Sequence, residues 1–293
     1  MLFKGSGVAL VTPFKDDLSI NYVKLEELIN FHIANKTDAI IICGTTGESS
    51  TLSDEEFKEI VSFCIKKVNK RLPVIVGCGS NNTKRAIEKS KLAQRLGADA
   101  LLIVTPYYNK CTQEGLYLHY KSINDVVNVP IIIYNVPSRT GVNITPYTVL
   151  RLSKLNNIIG IKEASSDISQ ITKIISLTYP DFLVYSGNDD QTLPILSLGG
   201  AGTISVLANI YPNIMHDLCY SFFNNDIITS RNITYKYLEI MKNLFIEVNP
   251  MPVKEVMNIL GFDVGDCRLP LCRIKEENYT KLNNCIKKLG PEN

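Results

Sequence analysis

Short apolar runs rich in Ile, Val and Leu punctuate the chain at residues 7–11, 39–43, 73–78, 100–104, 130–134, 158–161, 183–185 and 202–206. They lack the polar alternation of a half-exposed strand, so each reads as a strand covered on both faces, as in a parallel sheet. Helical patterns such as 53–68 and 83–96 run between them, in the order strand then helix. Ser53 with Glu56 makes a capping box, Asn82 or Thr83 caps the next helix, and Gly97 stands where a helix C-cap falls. Eight such units predict a (β/α)8 TIM barrel, with a doubly wound open sheet as the alternative.

Beyond residue 206 the pattern changes. Residues 215–223, 227–245, 252–260 and 276–289 read as helices, with no further apolar strand. One helix must close the barrel and the rest form a C-terminal helical extension. This divides the chain into a barrel carrying the catalytic site, 1–224, and a helical segment containing the closing helix and extension, 225–293.

The polar and glycine-rich motifs fall at the carboxyl ends of the predicted strands, which a barrel gathers around one mouth. They are Thr12-Pro13, Gly-Thr-Thr-Gly-Glu-Ser at 44–49, Thr-Pro-Tyr-Tyr at 105–108, Tyr-Asn-Val-Pro-Ser-Arg-Thr-Gly at 134–141, Lys162, and Ser-Gly-Asn-Asp at 186–189. Lys162 closes an apolar run. A lysine losing hydration there favours its neutral amine and becomes a nucleophile toward carbonyls, unless it reaches solvent or pairs with Glu163.

Gly44 and Gly47 allow a sharp turn in which the amides and hydroxyls of Thr45 and Thr46 can hold a carboxylate, or merely turn the chain. Tyr134 is either a core aromatic or a proton carrier beside an imine, with Thr45, Tyr107 and Tyr108 as further hydroxyls. Arg139, on a Pro-Ser-Arg-Thr-Gly loop, is either a solvated charge or a bidentate grip on a substrate carboxylate.

Composition narrows the field. The 293 residues are 45% hydrophobic and 20% charged with a net charge of +2, enough for a sizeable core and without a basic face for nucleic acid. No apolar run reaches membrane-spanning length and residues 1–15 lack signal-peptide features, so a cytoplasmic protein is expected. Eight cysteines without a Cys-x-x-Cys pair suggest reduced, mostly buried thiols. No histidine and acid cluster has metal-ligand spacing, and the 44–49 segment lacks nucleotide-loop endings, so neither metal nor phosphate cofactor is expected. Small molecules and copies of the chain itself remain as partners.

On these residues the chain resembles the N-acetylneuraminate lyase superfamily of class I pyruvate-dependent aldolases, and within it the dihydrodipicolinate synthase family. The similarity runs from Gly-Ser-Gly-Val-Ala-Leu-Val-Thr-Pro-Phe at 5–14 to Arg-Leu-Pro-Leu at 268–271. The 44–49 and 134–141 motifs are its specific part; related aldolases share the lysine and first tyrosine but usually lack the second threonine or this arginine.

The resemblance implies that Lys162 forms an imine with pyruvate and that the derived enamine attacks aspartate-4-semialdehyde, opening diaminopimelate and lysine synthesis. By the same resemblance Tyr134 moves protons, relayed by Thr45 and by Tyr108 from a neighbouring subunit. It also implies Thr46 and Ile204 as pyruvate contacts, Arg139 on the semialdehyde carboxylate, and Gly187 lining the pocket. A subunit-shared site implies a dimer or a tetramer of two dimers, and the chemistry implies no cofactor. Alternatives are a pyruvate aldolase for a sugar-derived aldehyde and a noncatalytic small-molecule binder.

Two departures stand out. Cys111 replaces a common proline. Asp54, Phe57 and Arg85 replace the histidines and glutamate of lysine-inhibited members, and Arg85 would repel a lysine ammonium. Ser49, Asn81 and Tyr107 keep a remnant of that effector site, so weak or absent lysine feedback is expected.

Overall fold

The computed structural model describes residues 2–178 and 180–289. Eight strands, β1 (Gly5–Ala9), β2 (Ala39–Ile42), β3 (Val74–Gly77), β4 (Ala100–Val104), β5 (Ile131–Asn135), β6 (Ile158–Glu163), β7 (Leu183–Ser186) and β8 (Gly202–Ser205), form a closed parallel barrel in sequence order. Closure pairs Gly5 of β1 with Gly202 of β8, which excludes the open doubly wound sheet.

The unbroken apolar runs are explained by the two layers they serve. Successive strand residues point to opposite faces. Ile41, Ile75, Leu102, Ile132 and Ile204 fill the barrel interior. Ile40, Val76, Leu101, Ile133 and Val184 lie in the second, larger core beneath the helices.

The expected elements shift at their ends. β1 starts at Gly5, whose amide donates to Ala201 O at 3.0 Å, and it ends at Ala9 rather than at residue 11. At Val11 the amide turns to the Asn209 side chain, so the strand pairing stops there although both Leu10 and Val11 stay buried. At the other extreme β5 and β6 run further than their apolar runs, through Asn135 and Glu163, because buried side-chain hydrogen bonds replace apolar packing at those positions.

Helix ends follow the local signals. Ser53 caps helix Asp54–Val68 with the capping box fully formed, its Oγ 3.1 Å from Glu56 N and its own amide 2.9 Å from Glu56 Oε2. Asn82, not Thr83, caps helix Thr83–Leu96, which ends on the left-handed Gly97. Helix Pro212–Phe223 follows β8 and packs against β1, where the ring of strands closes. Helices Ile227–Asn243, Met251–Ile259 and Glu276–Leu289 follow it, and the last packs on the other two. The chain between Asn243 and Met251 passes over the barrel mouth, where Val248 and Asn249 face the cavities. All eight cysteines are free and five are buried. Among the described residues no helix is long and apolar enough to cross a membrane.

Candidate active site

Two adjoining cavities open at the carboxyl ends of the strands. One, of about 350 Å³, is walled by Thr46, Tyr134, Lys162, Ala164, Gly187 and Asn249. The other, of about 410 Å³, shares Thr45, Tyr134 and Arg139 with it and extends to Ser49, Arg85 and Tyr107.

Lys162 belongs to β6, where it stands in register with Tyr134 of β5, and its Nζ lies 4.5 Å from the centroid of that ring. The side chain is 5% exposed, so it does not reach out to solvent. Nor does it pair with Glu163. The glutamate points to the opposite face of the strand, accepting from Asn135 Nδ2 at 2.9 Å, Ser165 N at 2.8 Å and Gln170 Nε2 at 3.2 Å. Burial pushes the Lys162 amine down to about 8; the Asp189 carboxylate opposes the shift and the Arg139 guanidinium adds to it.

Room for the lysine stem comes from Gly187. A Cβ there would lie 2.6 Å from Ala164 Cβ and 3.1 Å from Lys162 Cε, so a side chain would press on the amine-bearing arm.

Tyr134 is held neutral by burial, with Arg139 and a hydrogen bond to Thr45 pulling the other way. Its hydroxyl therefore stays available to give and take a proton beside the amine. Thr45 and Thr46 stand on the turn after β2, and Thr12 Oγ1 donates to Gly47 O at 2.7 Å, fixing that turn to the end of β1. Thr46 Oγ1 accepts from Asn249 Nδ2 at 3.0 Å, while Asn249 O accepts from Arg139 Nη2 at 3.0 Å. Arg139 sits on a one-turn helix, Pro137–Thr140, rather than on the expected loop, because the Val136 and Pro137 carbonyls accept amides four residues on.

Three expected residues lie elsewhere. Ile204 is fully buried in the inner apolar layer with Tyr134 and Ala164, not on either cavity wall. Tyr108 is 89% exposed with φ +73° and lines neither cavity in the single chain. Asn81 accepts from Asn109 Nδ2 through its carbonyl at 2.9 Å and lines neither cavity, although Ser49 and Tyr107 line the larger one. Arg85 is paired with Asp54 at 2.8 Å.

The structure adds two residues that the motifs did not single out for a role. Asn249 links Thr46 to Arg139 from a segment with no strand or glycine signal to mark it. Asp189 is buried within the quoted 186–189 motif, its Oδ2 accepting the amides of Val206 at 3.1 Å and Leu207 at 2.8 Å. Among the described residues no group of three or more His, Cys, Asp or Glu is placed to hold a metal ion.

A buried amine near neutrality, a buried phenol in register with it and a threonine turn beside an arginine suit covalent capture of a keto acid. The sequence profile of the dihydrodipicolinate synthetase family matches residues 2–289. The chain belongs to that family. It is 54% identical over 289 residues to the 4-hydroxy-tetrahydrodipicolinate synthase of Clostridium perfringens (strain SM101), covering 99% of both chains. The crystal structure of dihydrodipicolinate synthase from Thermotoga maritima superposes with a TM-score of 0.97 at 44% identity, covering 99% of each chain. A solved chain described as the first monomeric dihydrodipicolinate synthase variant matches with a TM-score of 0.96 at 44% identity, covering 99% of this chain and 97% of that one. In this dihydrodipicolinate synthetase barrel, then, β6 carries the amine, β5 the phenol, and the turn after β2 the two threonines.

Proposed function

We propose that the chain condenses pyruvate with aspartate-4-semialdehyde to give 4-hydroxy-tetrahydrodipicolinate, the first committed step of diaminopimelate and lysine synthesis. The observation that carries the reading is the buried Lys162 amine, brought near neutrality and set in register with Tyr134. Family membership over nearly the whole chain supports the choice of reaction.

In this reading the neutral Lys162 amine attacks the pyruvate carbonyl, and water leaves to give the imine. A methyl proton leaves for the Tyr134 relay, and the resulting enamine carbon bonds to the semialdehyde aldehyde carbon as its C=O π bond opens, the oxygen taking the proton back from the relay as the hydroxyl. The substrate's own amine then displaces Lys162 by transimination, closing the ring. Thr46 receives the pyruvate carboxylate and Arg139 that of the semialdehyde, Thr45 hands protons to Tyr134, and Gly187 keeps the space around the lysine. Ile204 supports the pyruvate end from the apolar layer beneath it. The reaction as written balances without metal or nucleotide.

Tyr108 completes the relay only if a second subunit inserts it, and its exposure on a single chain supports that arrangement. We propose a dimer at least, and a tetramer formed of two dimers. Residues 1–224 act as the barrel and 225–293 as a helical segment that lends Asn249 to the mouth; the helix that packs where the ring closes, Pro212–Phe223, falls in the first range rather than in the second, where the closing helix was expected. Residues 1, 179 and 290–293 of these ranges lie outside the described residues. Five buried thiols among eight free ones fit a cytoplasmic enzyme. Arg85, cationic beside Ser49 and Tyr107, leaves the remnant effector site poorly matched to lysine.

Turnover tests the reading. Purified protein should consume pyruvate only when aspartate-4-semialdehyde is present; consumption with a sugar-derived aldehyde and not with the semialdehyde would assign it to another aldolase of the superfamily.

A further inference from the structure

Inside the wall behind the threonine turn lies an ion pair that the reaction does not use. Lys254, on helix Met251–Ile259, and Glu48, at the end of the turn after β2, meet at 3.0 Å with side chains 2% and 0% exposed. The ammonium also donates to Thr12 O at 3.2 Å and Asp266 O at 2.8 Å, and it stands 4.4 Å from the centroid of the Phe14 ring. The second carboxylate oxygen of Glu48 accepts the Arg268 amide at 2.9 Å. Both charges are thus fully partnered.

A buried ion pair is weak evidence for stability, because desolvating two charges offsets much of their attraction. Its geometry is more informative. Glu48 holds a left-handed backbone at φ +53°, and its amide donates to Thr45 O at 3.1 Å, so the conformation that presents Thr45 and Thr46 is closed at this residue. Lys254 lies five residues past Asn249, whose amide group holds Thr46 Oγ1. The pair therefore fixes both sides of the Thr46–Asn249 contact, tying the helical segment to the strand ends from 206 residues away in sequence.

We propose that Glu48 and Lys254 are positioning residues for the pyruvate carboxylate. They touch no substrate; they hold the threonine turn and Asn249 at the spacing that receives it. The proposal rests on the reading of Lys162 as the pyruvate-binding amine. It predicts a graded loss: pyruvate affinity falls most, capture at saturating pyruvate persists, and semialdehyde use suffers less, through the Asn249 carbonyl that holds Arg139. A small displacement of a positioning group is enough to cost about tenfold or more.

The test is borohydride trapping of the pyruvate adduct as a function of pyruvate concentration, alongside steady-state kinetics, in the full-length assembly. The variants are E48Q, K254M and the double variant E48Q/K254M, which leaves no unpaired buried charge if either single variant fails to fold. The expected result is a half-saturating pyruvate concentration raised about tenfold in each folded variant, with trapping at saturation within about twofold of wild type and the semialdehyde KM raised by less than the pyruvate half-saturation. The double variant should be no worse than the worse single one, because the two side chains act as one clamp. Lower melting temperatures with unchanged pyruvate half-saturation would overturn the proposal and leave the pair a purely structural one. Wild-type protein that fails to trap pyruvate on Lys162 would instead defeat the underlying reading, a separate outcome.

Discussion

The pH dependence of pyruvate capture follows from the burial of Lys162. An ordinary lysine, at 10.5, is neutral in only about 3 molecules in 10,000 at pH 7, whereas an amine at about 8 is neutral in about one in ten. The structure thus gives the attacking form an advantage of roughly 300-fold at pH 7. Only the unprotonated amine attacks, so the rate of adduct formation at subsaturating pyruvate should rise about tenfold per pH unit below 8 and level off above it. The assay is quench-flow reduction with borohydride and intact-mass quantification across pH 6 to about 10, a range that brackets the lowered value and stops short of the ordinary one. A rate still climbing tenfold per unit above about pH 9.5, as for a solvated lysine, would refute the argument from burial.

The same shift has a stability consequence of defined sign. A base whose native pKa lies below its unfolded value destabilises the fold while protonated, in full below about 8, and that cost fades as pH rises from 8 toward 10.5. Lowering the amine from 10.5 to about 8 corresponds to about 3 kcal/mol, so K162M should be inactive yet more stable at pH 7 by up to that amount in urea unfolding, with the gain shrinking above about pH 8. R139A should raise the semialdehyde KM far more than that of pyruvate, since the guanidinium sits at the outer wall; equal losses for both substrates would contradict its assignment. Mixing K162A with Y108F subunits under exchange conditions should restore activity neither has alone, because a mixed dimer contains one complete site; no recovery in demonstrably mixed assemblies would place Tyr108 outside the relay. Lysine should inhibit weakly or not at all, and strong inhibition at submillimolar lysine would show that Arg85 does not exclude it.

The barrel was legible because parallel strands buried on both faces leave unbroken Ile, Val and Leu runs; their order favoured a ring over an open sheet, and the pairing of β1 with β8 decided it. Strand ends were less so. Asn135 and Glu163 extend β5 and β6 through buried hydrogen bonds that hydrophobic pattern does not encode. β1 likewise ends where Val11 leaves the ladder for Asn209.

At the site, the placing of Lys162, Tyr134, Thr45, Thr46, Gly187 and Arg139 at one mouth could be anticipated because each sits at a strand end or on the segment that follows it. Asn249 escaped notice because it comes from the returning helical segment, 203 residues from Thr46, with no strand to place it. The Glu48–Lys254 pair was hidden for the same reason. Tyr108 shows the opposite limit, since a single chain leaves it exposed however clear its motif.

The most direct measurement is borohydride reduction of the folded protein with pyruvate, followed by peptide mass mapping. The expected result is one reduced pyruvate adduct per chain, on Lys162. No adduct, or an adduct on an exposed lysine with Lys162 unmodified, would contradict it.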